Sequence, residues 1–172
     1  MKKIITIMLI AVMSASLLVA CGKKETEKPA LTGDLTQIMD KIYENKKVEL
    51  RLQTMPVDLN DELALSSYTG LTDSSQIKEA VASESMIGSQ AYSVVLVRAK
   101  DSANTKNIAD AMIKGINPAK WVCVEADDIK VATYGDVILY VMLSSDLSET
   151  VTANELIEAF KTVCGGTIDV IK

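Results

Sequence analysis

Serine and lysine three residues apart, in Ser75-Gln76-Ile77-Lys78, match the spacing at which a lysine serves a serine nucleophile in penicillin-recognising enzymes. Two fixed positions in four are common by chance, and neither companion motif, S-D-N or K-T-G, follows in the chain. The segment reads as a polar start to a helical turn. Asp58-Leu59-Asn60-Asp61-Glu62 offers the hard oxygen ligands that calcium takes. Counted as a calcium loop from Asp58, however, the sixth position holds Leu63 where glycine is needed, and the twelfth holds Thr69 where a bidentate glutamate belongs. Asp58 to Asp61 are therefore expected to be turn and N-cap residues, and Asp127-Asp128 a polar turn between strands rather than half of a metal site. Gly165-Gly166 follows an apolar helical stripe instead of preceding one, which suits a helix end and not a phosphate cradle. No catalytic residue, metal ligand set or cofactor site emerges.

Three cysteines remain to be placed. Outside the cytoplasm Cys123 and Cys164 could form a disulfide, provided their Cα atoms come within about 4.4–6.8 Å. Against this, Cys123 alternates within Trp121-Val122-Cys123-Val124, which reads as a short apolar strand, and free cysteine is among the most buried residue types. Two free thiols are the favoured expectation. Trp121, the one tryptophan, is read as core-edge packing, and Met55 and Met86 as gap-filling side chains. The chain has no histidine, which excludes Ser-His-Asp and Cys-His catalysis and imidazole-based zinc sites. Aromatic residues make up only 4%, too few for a base-stacking or sugar-stacking platform. With 18 basic against 23 acidic residues the net charge is −5, so no nucleic-acid partner is expected.

The amino end carries an address. Lys2 and Lys3 precede a nearly uninterrupted apolar run of 14 residues, Ile4 to Leu17. That is short of the ~20 residues a membrane-spanning helix needs and suits a signal peptide. Leu18-Val19-Ala20-Cys21 then matches the bacterial lipobox, in which the cysteine thiol takes a diacylglyceryl group and the peptidase cuts before it. Two acyl chains give stable attachment where one, at about 10⁴ M⁻¹, does not. Residues 1–20 are thus expected to be a lipoprotein signal peptide, and Cys21 a lipidated anchor on the extracytoplasmic face of the cell membrane. Residues 21–32, which include Lys23-Lys24-Glu25-Thr26-Glu27-Lys28-Pro29, form a flexible charged tether. Residues 33–172 form a single domain.

Within that domain, Leu35, Ile38, Met39 and Ile42 line one helical face, capped by Asp34 or Thr32. Val48, Leu50 and Leu52 alternate as a half-buried strand closed by Met55-Pro56. A helix is predicted over Asp61–Tyr68, stopped by Gly70. A turn and then a strand follow, from Ser74 to Met86. Tyr92–Ala99 is a central valine-rich strand, and Asp101 or Ser102 caps a helix with Ile108, Met112, Ile113 and Ile116 on its stripe. Ile129–Thr133 and Val137–Leu143 make the clearest hairpin, around Tyr134-Gly135-Asp136. Thr152-Ala153-Asn154-Glu155 is a capping box opening a helix that buries Leu156, Ile157, Phe160 and Val163. Hairpins alternating with single helices predict an α+β fold: a single two-layer domain, an antiparallel sheet built from hairpins with helices packed on one face.

Several segments together resemble a known group. Tyr68-Thr69-Gly70-Leu71, Met86-Ile87-Gly88-Ser89, Tyr92–Arg98, Asn117–Val124 (with Lys120-Trp121-Val122-Cys123-Val124 the most distinctive piece) and Gly135–Met142 are similar to small lipoproteins of Gram-positive, clostridial-type bacteria. These carry a domain of unknown function (DUF4358-like). The resemblance covers roughly residues 35–164. It implies an envelope lipoprotein with no established activity or cofactor, and carries over no catalytic residue. The residues and the resemblance together lead to an expected function: a membrane-anchored, non-enzymatic binding domain with an envelope protein as partner. The alternative is a small-ligand receptor or a hydroxyl- and carboxylate-based enzyme of the cell envelope.

Overall fold

Two apolar runs make the centre of the sheet. Strands β3 (Tyr92–Ala99) and β5 (Val137–Leu143) are buried at every residue and pair antiparallel, with Tyr92 opposite Leu143 and Arg98 opposite Val137. The computed structural model that shows this describes residues 28–172. Outward from β3 lie β2 (Ile77–Ser85) and the edge strand β1 (Leu52–Pro56); outward from β5 lie β4 (Asp128–Tyr134) and the two-residue β6 (Asp169–Val170). All five pairings are antiparallel, in the order β1-β2-β3-β5-β4-β6. Pro56 is tolerated because it ends an edge strand, where a missing donor costs no ladder bond on the open side. β4 and β5 turn through Gly135-Asp136, with Gly135 at φ +54, the position where a two-residue hairpin turn favours glycine.

Four helices cover this sheet, on both faces. Helices α1 (Leu35–Asn45) and α4 (Ala153–Val163) bury Leu35, Ile38, Met39, Ile42, Leu156 and Phe160 against Val94, Leu96, Leu139 and Val141. Helices α2 (Glu62–Thr69) and α3 (Thr105–Gly115) bury Leu65, Ile108 and Met112 against Val95, Val97, Ile138 and Tyr140. The α+β class and the antiparallel sheet stand as expected, but the layers number three rather than two. The physical reason is visible in the central strands. Their alternate residues feed two separate cores, and a strand that is apolar on both sides requires cover on both.

Local caps explain the helix boundaries. Asp34 and Gln37 form a reciprocal capping box on α1, Asp61 caps α2, and Thr152 and Glu155 form the predicted box on α4. Elsewhere the structure corrects the expectation. Trp121–Val124 is a loop, not a strand, and Cys123 sits there at φ +61. Val48 and Leu50 pack on the core but lie outside β1. Ser75-Gln76 is a turn that leads directly into β2.

Candidate functional site

The strands run between two ends with different chemistry. At one end lies Arg98, 5% exposed and the last residue but one of β3. Its Nε donates to Glu79 Oε1 at 2.7 Å and its Nη1 to Asp136 Oδ2 at 2.8 Å. The same guanidinium reaches back to the chain ahead of α1: Nη1 donates to the Leu31 carbonyl at 2.8 Å and Nη2 to that of Gly33 at 2.7 Å. Asp136 completes the clasp by accepting from the Leu31 amide at 3.2 Å. Burial alone pulls the Arg98 pKa down, but hydrogen bonds and charge from Asp136 and Glu79 raise it above the ordinary value. Further back, Lys28 pairs with Asp169 at 2.7 Å and lies 5.8 Å from the Tyr134 ring centre. Residues 28–33 are thus a strap lying on the β4–β5 turn, whereas the expectation placed the flexible tether through residue 32. The rest of that tether, the signal peptide and the lipidation residue Cys21 lie outside the described residues.

At the opposite end two loops meet. The Val122 amide donates to the Gly88 carbonyl at 3.1 Å, joining the β2–β3 loop to the loop that follows α3. The junction presents Met86, Ile87 and Val122 at 66%, 43% and 69% exposure. Met86 is therefore not a gap-filling core residue, and Val122 is not in a strand. Met55 is partly buried, with its sulfur 3.7 Å from the Tyr68 hydroxyl. The second loop is pinned from beneath by Lys120, which pairs with Glu84, donates to the Ser67 carbonyl at 3.1 Å, and lies between the Tyr68 and Trp121 rings at 5.3 and 5.2 Å. Trp121 packs on the α2/α3 core, as core-edge packing requires.

Beside this tip is a shallow open hollow of about 270 Å³, lined by Cys123, Glu125, Asp127, Ser144, Ser145 and Asp146. Asp127, Ser144 and Ser145 are engaged within the loops themselves. Both Asp127 oxygens accept from Ser145, one from the amide and one from the hydroxyl, each at 2.6 Å, and these bonds hold the Asp127 carboxyl below its ordinary pKa. Ser144 caps the following turn.

The remaining candidates do not converge. Ser75 gives its hydroxyl to Asp73 at 2.6 Å, and among the described residues Lys78 makes no bond to it. Asp58 accepts from the Asn60 amide and Asp61 caps α2, so both serve the local backbone. Among the described residues no three His, Cys, Asp or Glu side chains are grouped to hold a metal. Both Cys123 and Cys164 are free thiols. Cys123 is exposed near the tip, and Cys164, which ends α4 at the far end of the sheet, is buried in the α1/α4 core. The two are not paired in this structure. Gly165 and Gly166, at φ +79 and +99, follow the last turn of α4 as a helix end requires. No helix among the described residues is long and apolar enough to cross a membrane.

Compared with known proteins, the chain matches no family model, no curated protein and no solved structure.

Proposed function

We propose that the chain is an envelope lipoprotein, anchored through Cys21, whose folded domain is a non-enzymatic module binding an envelope protein through the tip at Met86, Ile87 and Val122. The observation that carries this reading is the exposure of these three side chains on two loops joined by a backbone hydrogen bond. Large apolar groups clustered on a surface cost solvation, and a partner that covers them recovers it. The basic start, the short apolar run and the lipobox sequence support the address. The Asp127 carboxylate and the Ser144 and Ser145 hydroxyls beside the tip support a binding rather than a catalytic role, since they hydrogen-bond one another and the backbone.

The test uses the full chain in envelope membranes, with a photo-crosslinking side chain placed at Val122 or, at the other end of the sheet, at Lys106. A discrete protein adduct from position 122 and none from 106 is expected, and Met86→Asp together with Ile87→Asp should abolish it without lowering the melting temperature. Adducts equally strong from both positions, or none from 122, would overturn the reading.

A further inference from the structure

We infer that the strap of residues 28–33 orients the domain at the bilayer, holding the Arg98 end toward the membrane and the Met86–Val122 tip away from it. This rests on the anchoring of Cys21 proposed above. Two observations carry it beyond that reading. First, the chain enters the fold at a fixed point, held by hydrogen bonds from Arg98 to the Leu31 and Gly33 carbonyls and from the Leu31 amide to Asp136, by the Lys28–Asp169 ion pair, and by Lys28 over the Tyr134 ring. The Pro29 carbonyl lies so close to the β4–β5 turn that a Cβ on Gly135 would meet it at 2.5 Å. Second, that entry point is at one extreme of the sheet. Arg98 and Tyr134 both face Val137 at the turn end, while Tyr92 and Asp128 both face Leu143 at the tip end.

Lengths then set the geometry. Six residues separate Cys21 from Lys28, and the seven steps between them can span at most about 25 Å when fully extended. The strands separate the two ends by about 20 Å. A tether attached at the middle of the domain would leave it free to present any face. One that enters at the end, through a bound strap, holds that end within about 25 Å of the lipid, while the tip reaches about 20 Å further out, so the Arg98 end lies on average closer to the bilayer. Arg98 is the central positioning residue. Its guanidinium alone contacts the strap, β2 and the hairpin turn at once, so the strap and the sheet move together.

The test is energy transfer to a lipid dye. The full chain, purified from membranes, is reconstituted in phosphatidylcholine vesicles carrying a trace of rhodamine-labelled phosphatidylethanolamine. A donor dye is placed on the exposed Cys123 or, in a Cys123→Ser chain, on Lys106→Cys beside the turn. Mass analysis of the amino-terminal peptide and vesicle flotation come first. A bare Cys21 and no flotation mean that the anchoring reading has failed and takes the orientation with it. With lipid present, transfer from position 106 is expected to exceed that from 123 several-fold. Equal or reversed transfer overturns the orientation while leaving the anchor intact. Gly135→Asn, which evicts the strap, should bring the two efficiencies together and speed hydrogen exchange at the Leu31 amide by about tenfold or more. Asp136→Ala, which removes the carboxylate that accepts from the Leu31 amide and from Arg98, gives the same readout should Gly135→Asn fail to fold. Exchange at Leu31 that neither variant alters would also overturn the inference.

Discussion

The carbonyl oxygen of Gly70 lies 1.9 Å from where a Cβ on Gly115 would sit, so the ends of α2 and α3 cross backbone to backbone. The approach is reciprocal. A Cβ on Gly70 would meet the Ile116 nitrogen at 2.5 Å, and Gly70 itself caps α2 at φ +73. Alanine normally stabilises a helix over glycine by ~0.5–1 kcal/mol. Here it has no room, and overpacking against backbone costs ~1–3 kcal/mol. Gly115→Ala is expected to lower the melting temperature by several degrees in a thermal scan. A rise would show that the two helices can part at no cost.

Much of this architecture is readable in the chain. The caps at Asp34, Asp61 and Thr152 are local side-chain-to-amide bonds, and the Gly135-Asp136 turn depends on one glycine, so short sequence windows contain their causes. The number of layers is also encoded, though less directly. Val137–Leu143 is apolar throughout and Tyr92–Ala99 is apolar but for Ser93 and Arg98, near-continuous runs rather than alternating ones, which is the pattern of strands covered on both faces. The tip and the clasp were not legible in the same way. Trp121–Val124 has strand-like composition, but Pro118 and the Val122–Gly88 bond hold it as a loop, a contact 34 residues apart in sequence. Arg98 did leave a signal: a single charge near the end of a buried strand must find partners. Those partners, Glu79, Asp136 and the strap carbonyls, come from three separate segments and could not be named from spacing.

The two described thiols should differ sharply in reactivity. Burial pushes the Cys164 thiol up to about 12, with Lys28 acting weakly in the opposite sense, while Cys123 is open to solvent. Alkylation of the native protein at mildly alkaline pH, followed by peptide mapping, is expected to modify Cys123 and leave Cys164 untouched until denaturant is added. Equal labelling of both in the native state would contradict the placement of Cys164. Resistance of both until a reductant is supplied would reveal a disulfide and overturn the separation of the two ends.

Tyr140 stands in the middle of β5 with its hydroxyl buried and, among the described residues, without a hydrogen-bond partner. An unpaired buried hydroxyl costs ~1–3 kcal/mol in lost hydration, so deleting it removes that penalty at the expense of a small void. Tyr140→Phe is expected to raise stability by roughly 1 kcal/mol at neutral pH. The same burial pushes its pKa up to about 12, and Tyr43 and Tyr92, whose hydroxyls are 3.2 Å apart beneath α1, are likewise raised by burial. The sign follows from proton counts. Above the ordinary tyrosine pKa of 10.0 the unfolded chain releases these protons while the folded chain retains them, so the folded state binds more and loses stability as pH rises. The stability that depends on the Tyr140 proton is therefore fully present below pH 10 and declines between there and about 12. Tyr140→Phe removes one of these contributions, to which Tyr68 and the buried Cys164 thiol also add, so its denaturation midpoint should fall less steeply than the wild type's across that window. A variant less stable at neutral pH, or one with an unchanged alkaline slope, would mean that the Tyr140 hydroxyl has a partner or reaches water.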